Sequence, residues 1–140
     1  MDVQSTPLVP VSWGELLDKL TILDIKRARL AQPEARANVE REAAALRPYG
    51  AAVLSHPAIG AAFGELARVN ERLWDIEDAI RIAEHEARFG ADFVTLARAV
   101  YQRNDERAAI KRRINDLLGS ELVEEKSYAA CAVEAPASAG

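Results

Sequence analysis

Two polar stripes hold the groups in this sequence that could do chemistry. Asn70, Trp74, Glu77, Asp78 and Arg81 recur at three- and four-residue spacing, so on a helix they share one face. Amide, carboxylate and guanidinium groups together donate and accept hydrogen bonds, and an indole adds a flat apolar wall. That combination suits the stacking of a sugar or a base; the plainer alternative is that Trp74 packs against another helix or a dimer partner. A second stripe holds Tyr101, Asn104, Asp105, Lys111 and Asn115, whose plain reading is a solvated face. Between its members, Arg103 and Arg107 interrupt the apolar series Leu96, Val100, Ile110, Ile114 and Leu117.

Such interruptions have two explanations. Residues 65–88 carry seven acids against four bases, and residues 98–113 carry six bases against two acids. If the two segments are antiparallel helices, Arg103 and Arg107 lie opposite residues 73–77, with Asp24 and Arg27 of the first helix at similar depth. The charges are then either ion pairs that fix helix register or the lining of a ligand pocket. Both readings stay open.

Other chemistries are poorly served. Glu71, Asp75 and Asp78 at i, i+4, i+7 are the weak candidates for a Mg²⁺ or Mn²⁺ site, but Arg72 and Arg81 compete for them and no Glu-x-x-His occurs, so no metal and no cofactor is expected. His56 and His85 are isolated and read as surface residues. No G-x-S-x-G, no cysteine beside a base and no glycine-rich loop after a strand is present. The net charge is −4, and the run Lys111-Arg112-Arg113 is short, so nucleic acid is not an expected partner.

The elements that must position these residues are helices. Hydrophobic residues make up 49% and charged residues 29% of the 140, with six prolines and seven glycines, an ordinary helix-rich globular composition. Ser12 with Glu15 forms a capping box, followed by Leu16, Leu20, Leu23 and Leu30. Pro33 suits the first turn of a helix over about 33–47, which Pro48 and Gly50 end, leaving a loop over 50–57. A helix over about 58–88 carries the heptad seam Leu66, Val69, Leu73, Ile76, Ile80, Ala83 and Ala87. Gly90 stops it, Asp92 caps the next helix over about 93–118, and Gly119 is its C′ residue. The connection is short, so these two long helices form an antiparallel hairpin.

The expected fold is all-α: that hairpin with the capped N-terminal helix packed across it, a three- to four-helix bundle. Residues 1–11 read as an extended lead-in whose Leu8, Val9 and Val11 can pack as a strap, 12–128 as one helical domain with one more turn or two after Gly119, and 129–140 as a disordered alanine-rich tail holding Cys131. No apolar run is long enough for a signal peptide or a membrane helix, so the cytoplasm is the expected place and membrane insertion is not.

Three blocks carry a resemblance: VPVSWGELLDKLTILDIK from Val9, VNERLWDIEDAIR over 69–81, and VYQRNDERAAIKRRINDLLGSELVEEKSY over 100–128. Together they resemble a family of small bacterial proteins of unknown function. The resemblance implies no activity. It implies a sugar-related accessory role, since members of the family tend to be encoded near glycosyltransferases and other surface-polysaccharide functions. The architecture is also similar to the all-helical chorismate mutases, where cations hold a small dianion. Arg27, Arg81, Arg103, Arg107 and Lys111 echo that arrangement, but the motifs do not match, and Asp75, Glu77 and Asp78 would repel a dianion.

The functional expectation is a non-enzymatic binding or interaction module, a homodimer with a protein partner or a small anionic or sugar ligand. Its face is Asn70, Trp74, Glu77, Asp78, Arg81, Asn104 and Arg107, with Asp18 and Lys19 from the first helix. The rival is a small enzyme using those charges on an anionic metabolite or metal-bound phosphate.

Overall fold

The structure, a computed structural model, describes residues 5–127. Four helices follow in order: α1 (Trp13–Arg29), α2 (Pro33–Leu54), α3 (Pro57–His85) and α4 (Ala91–Leu118). No strand occurs among the described residues. Among the described residues no helix is long and apolar enough to cross a membrane. The alanine-rich tail and Cys131 lie outside the described residues.

The start of α1 follows from Ser12. Its backbone is extended, and its Oγ accepts the Glu15 N–H at 3.1 Å, satisfying one of the free donors of the first turn. The reciprocal half of the capping box is not made. The Glu15 carboxylate instead accepts from Lys111 Nζ at 2.8 Å. The lead-in does not pack as a strap: Leu8, Val9 and Val11 stay exposed, because the core closes at Ser12 and the chain before it runs outside.

α2 is longer than the sequence predicts. Pro48 lies inside it rather than ending it, and the 50–57 loop shrinks to Ser55 and His56, with Pro57 opening α3. A proline removes one helical hydrogen bond, but packing on both sides of it holds the helix together. Val39 and Ala43 are buried before Pro48, and Gly50 is buried after it. Gly50 is a close-approach residue, not a stop. A Cβ there would meet Leu20 Cδ1 of α1 at 2.5 Å.

α3 and α4 pack as an antiparallel hairpin. Phe89 and Phe93 meet edge to face at 5.4 Å beside the turn, and Arg113 of α4 pairs with Glu65 near the other end. α3 ends at His85, three residues early, through Ala87 in the left-handed region (φ 54). Gly90 is the N-cap of α4, and Asp92 sits in its first turn. Gly119 closes α4 with φ 60, and Ser120 N–H bonds back to the Asn115 carbonyl at 2.9 Å.

α1 lies across the hairpin and touches every other helix, while α2 covers α1 and part of α3. Leu17, Leu20 and Leu23 of α1 meet Ile59, Leu66 and Val69 of α3 and Ile110 and Ile114 of α4 in one core. This cover is partial. From residue 74 to 109, which includes the whole distal half of the hairpin, only Ala83 is buried. Residues 120–127 form no further helical turn. They run back along α4, where Glu124 meets Lys111 and Glu125 meets Arg112.

Candidate binding site

The site is built on Asp18. The phase set by the Ser12 cap turns Leu17 and Leu20 into the core and Asp18 with Thr21 toward the hairpin, where both are 1% exposed. Asp18 Oδ1 accepts from Asn70 Nδ2 and from Arg107 Nε, each at 2.9 Å. Oδ2 accepts from Arg107 Nη2 and lies 3.9 Å from Lys111 Nζ. Thr21 Oγ1 donates to the Asp18 carbonyl at 2.7 Å and accepts from Asn70 Nδ2 at 2.8 Å. Among the described residues, no buried side-chain polar atom lacks a partner. A buried charge is tolerable only in such a closed network. The hydrogen bond to Asp18 holds the Arg107 guanidinium above its ordinary value despite burial.

This network fixes two groups at the floor of a surface groove of about 470 Å³. Arg107 uses Nε and Nη2 on Asp18, which leaves Nη1 outermost, 3.4 Å from Asn104 Oδ1. Asn70 uses its amide nitrogen on Asp18 and Thr21; its planar amide therefore turns the carbonyl oxygen away from them. One donor and one acceptor are thereby held in place. Trp74 forms the wall, with Ile22, Ile25 and Leu73 beside it. The Arg29 guanidinium lies 6.0 Å from the indole centroid and pairs with Asp75, which steadies the ring. Glu77, Asp78 and Arg81 form the rim.

Seven of the residues singled out in the sequence therefore line one groove: Asn70, Trp74, Glu77, Asp78, Arg81, Asn104 and Arg107. Asp18 lies beneath it. Lys19 does not join them. One position along a helix is about 100° away, and Lys19 points to α2, where it pairs with Glu42 at 3.2 Å. The expected facing of residues 103–107 and 73–77 is right in register, but not in ion pairs. Arg103 pairs with Glu106 of its own helix, Glu77 with Arg81, and Arg107 with α1. Asp24 and Arg27 reach Arg47 and Glu40 of α2, away from this layer. Glu71, Asp75 and Asp78 do not form a metal set. Among the described residues no three ligating side chains converge, and Asp75 is taken by Arg29. His56 and His85 are exposed.

The sequence gives no sign that Glu15 and Thr21 join this network, and it places Lys111 and Asn115 on the wrong side of the surface. Lys111 and Asn115 belong to the stripe read as solvated, yet they are 8% and 3% exposed. Asn115 Oδ1 accepts the Gly14 N–H at 2.7 Å. Burial draws the Lys111 ammonium down, but its hydrogen bonds to Glu15 and Glu124 outweigh that and hold its pKa above the lysine value.

A second cavity of about 500 Å³, sharing Asn104 and Arg107 with the groove, lies between α4 and the returning 120–127 segment. Glu124 is its latch. Lys126 and Lys111 hold the Glu124 carboxyl down to about 2. The Lys126 part of this depression is internal to the segment. The Lys111 part exists only when the segment is docked, so it favours docking above the ordinary value of 4.5 and is lost as pH falls from 4.5 through 2. The amide resonances of residues 120–127 are therefore expected to move toward random-coil positions over that window. Glu124→Gln is expected to remove the pH dependence. Retention of the wild-type titration in that variant would assign the latch to another group.

Comparison with known proteins adds one finding. The model of a family of unknown function (DUF6165) matches residues 8–139. The chain belongs to DUF6165. The match spans all four helices, so the Asp18 network and the groove above it lie within the DUF6165 region. Neither a search of curated proteins nor a search of solved structures returned a match.

Proposed function

We propose that this DUF6165 chain is a non-catalytic binding module whose Trp74 groove takes a neutral, hydroxyl-rich ligand, a sugar unit. In this reading it works in the cytoplasm as a homodimer, accessory to surface-glycan biosynthesis. One observation carries the ligand class: the Asn70 carbonyl and the Arg107 Nη1 edge are pinned from below by buried Asp18, beside an indole wall. A sugar hydroxyl both donates and accepts, and its ring presents C–H groups that stack on an indole. The charge of the site points the same way. Arg107 is already neutralised by Asp18, and Glu77 with Asp78 against the single Arg81 leaves the rim acidic. Such a rim disfavours the anionic metabolite of the rival enzymatic reading.

The test follows Trp74 emission in a Trp13→Phe background during titration with neutral hexoses, an amino sugar, a nucleotide sugar and inorganic phosphate. A saturable change with a neutral or amino sugar is expected. In Trp74→Ala, followed by thermal shift, the affinity is expected to fall roughly two- to tenfold. A response to phosphate with none to neutral sugars would favour the enzyme reading, and no response to any probe would remove the groove as a small-molecule site.

A further inference from the structure

The distal half of the α3–α4 hairpin is a two-helix arm without cover. Two helices alone bury little of their facing seams, and here Ile80, Leu96 and Val100 are only half-buried, as is Ile76 at the edge of the seam toward the outer face. One side of α3 carries a stripe across this arm, Arg72, Ile76, Ala79 and Ile82, continued by Glu86 at the C-cap. At 3.6 residues per turn these five fall within a sector about 120° wide, centred on Ala79. The order of the stripe is self-complementary. Three residues to either side of Ala79 stands an isoleucine. Seven residues to either side stand a base, Arg72, and an acid, Glu86.

We propose that this stripe is the surface on which a second copy of the chain docks, with the two α3 helices antiparallel and a two-fold axis at Ala79. It rests on the homodimer of the reading above and names its interface. Isologous contact requires that if residue i meets residue j, then j meets i. About an axis at Ala79, Ile76 meets the partner's Ile82, and Arg72 meets the partner's Glu86. Both contacts occur twice. Ala79 meets itself, and its small side chain lets the two helices approach at the crossing. The exposure fits. Ile82 is 53% exposed, Arg72 has no ion pair among the described residues, and Glu86 pairs only locally, with exposed Arg88 two residues on, a partner it exchanges for Arg72 across the axis. An open cleft of about 460 Å³ flanks the stripe; Ala79, Ile82, Phe93 and Leu96 give the partner more apolar surface to cover, and Arg88 and Asp92 edge it. Around α3 from Ala79, Asp78 lies about 100° away, Trp74 about 140° and Arg81 about 160°, so the dimer borders the rim at Asp78 and leaves the Trp74 wall open.

The test uses the full chain with Cys131→Ser. Sedimentation velocity across a concentration series is expected to show a species of twice the 15.3 kDa chain mass. Under diamide, Ala79→Cys is expected to form a disulfide-linked dimer, while Arg98→Cys, on the outer side of α4, is not. Arg72→Glu and Glu86→Arg are each expected to weaken the dimer, and the two together to restore it, because the swap regenerates both contacts. Circular dichroism checks that each variant is folded. A wild-type chain that stays monomeric overturns the homodimer and this surface together. A dimeric wild type in which Arg98→Cys links as readily as Ala79→Cys, or in which the charge swap restores nothing, overturns the surface alone. Sugar binding is read independently by Trp74 emission.

Discussion

Arg107→Met is expected to cost about 3–5 kcal/mol of folding free energy, because it leaves the Asp18 carboxylate buried with its main counter-charge removed. Asp18 is 1% exposed, so water cannot take the place of the guanidinium. Lys111 Nζ stands 3.9 Å away and is already held by Glu15 and Glu124. The reverse change, Asp18→Leu, is expected to cost less, about 1–3 kcal/mol. The Arg107 side chain is 28% exposed and can turn to solvent, Lys111 keeps two partners, and the Asn70 amide keeps Thr21. The double variant is expected to be more stable than Arg107→Met alone, since it removes the orphaned charge. Urea unfolding followed by far-ultraviolet circular dichroism, at unchanged m-value, measures all three. Equal losses in the two single variants would mean that water reaches Asp18 after all.

Gly14→Ala is the second large effect. A Cβ at Gly14 would lie 2.6 Å from the Lys111 carbonyl oxygen and 3.0 Å from Asn115 Oδ1. The first obstacle is backbone and cannot rotate aside. The start of α1 must then lift from α4, which strains the Gly14–Asn115 hydrogen bond and the one from Trp13 N–H to Ser120 Oγ. Overpacking of this kind costs about 1–3 kcal/mol, more than the roughly 0.5–1 kcal/mol that alanine returns over glycine inside a helix. Gly50→Ala is the control. Its Cβ would meet Leu20 Cδ1, the free end of a flexible side chain, so a smaller drop in melting temperature is expected. The opposite order would mean that the α1–α4 contact is the softer of the two.

The fold was largely legible because its signals are local. Ser12, Gly119 and the Leu66–Val69–Leu73 seam each act within one or two turns. Pro48 misled because a proline normally ends a helix, and what overrides it here is tertiary: Gly50 seated against Leu20. The groove was legible on α3 and α4 because its members recur at helical spacing. Its keystone was harder to read. Asp18 and Lys19 stand side by side in the sequence, and only the phase of α1 decides which faces the hairpin. The partner of Arg107 lies 89 residues away, while acids nearer along the hairpin offered a simpler match. Lys111 and Asn115 continue the Asn104–Arg107 series at four-residue steps, but a charged residue at such a step reads as solvent-facing until α1 is laid over it.

The join between α1 and α4 sets an order of events during synthesis. α1 leaves the ribosome well before the groups that complete it. Arg107 follows Asp18 by 89 residues, Asn115 follows Gly14 by 101, and Ser120 follows Trp13 by 107. Until α4 has emerged, an early α1 holds a carboxylate without its counter-charge and an apolar face covered by α2 and α3 alone. The α3–α4 hairpin has nearer contacts and can form first. Closing α1 onto it across a hundred residues adds only about 0.6 kcal/mol of loop entropy over closing across fifty, so the delay is one of sequence rather than of energy. A nascent chain stalled before α4 lacks Ile110 and Ile114 from the core and Arg107 from Asp18, which makes unfinished copies distinguishable, to a protease or a chaperone, from finished ones.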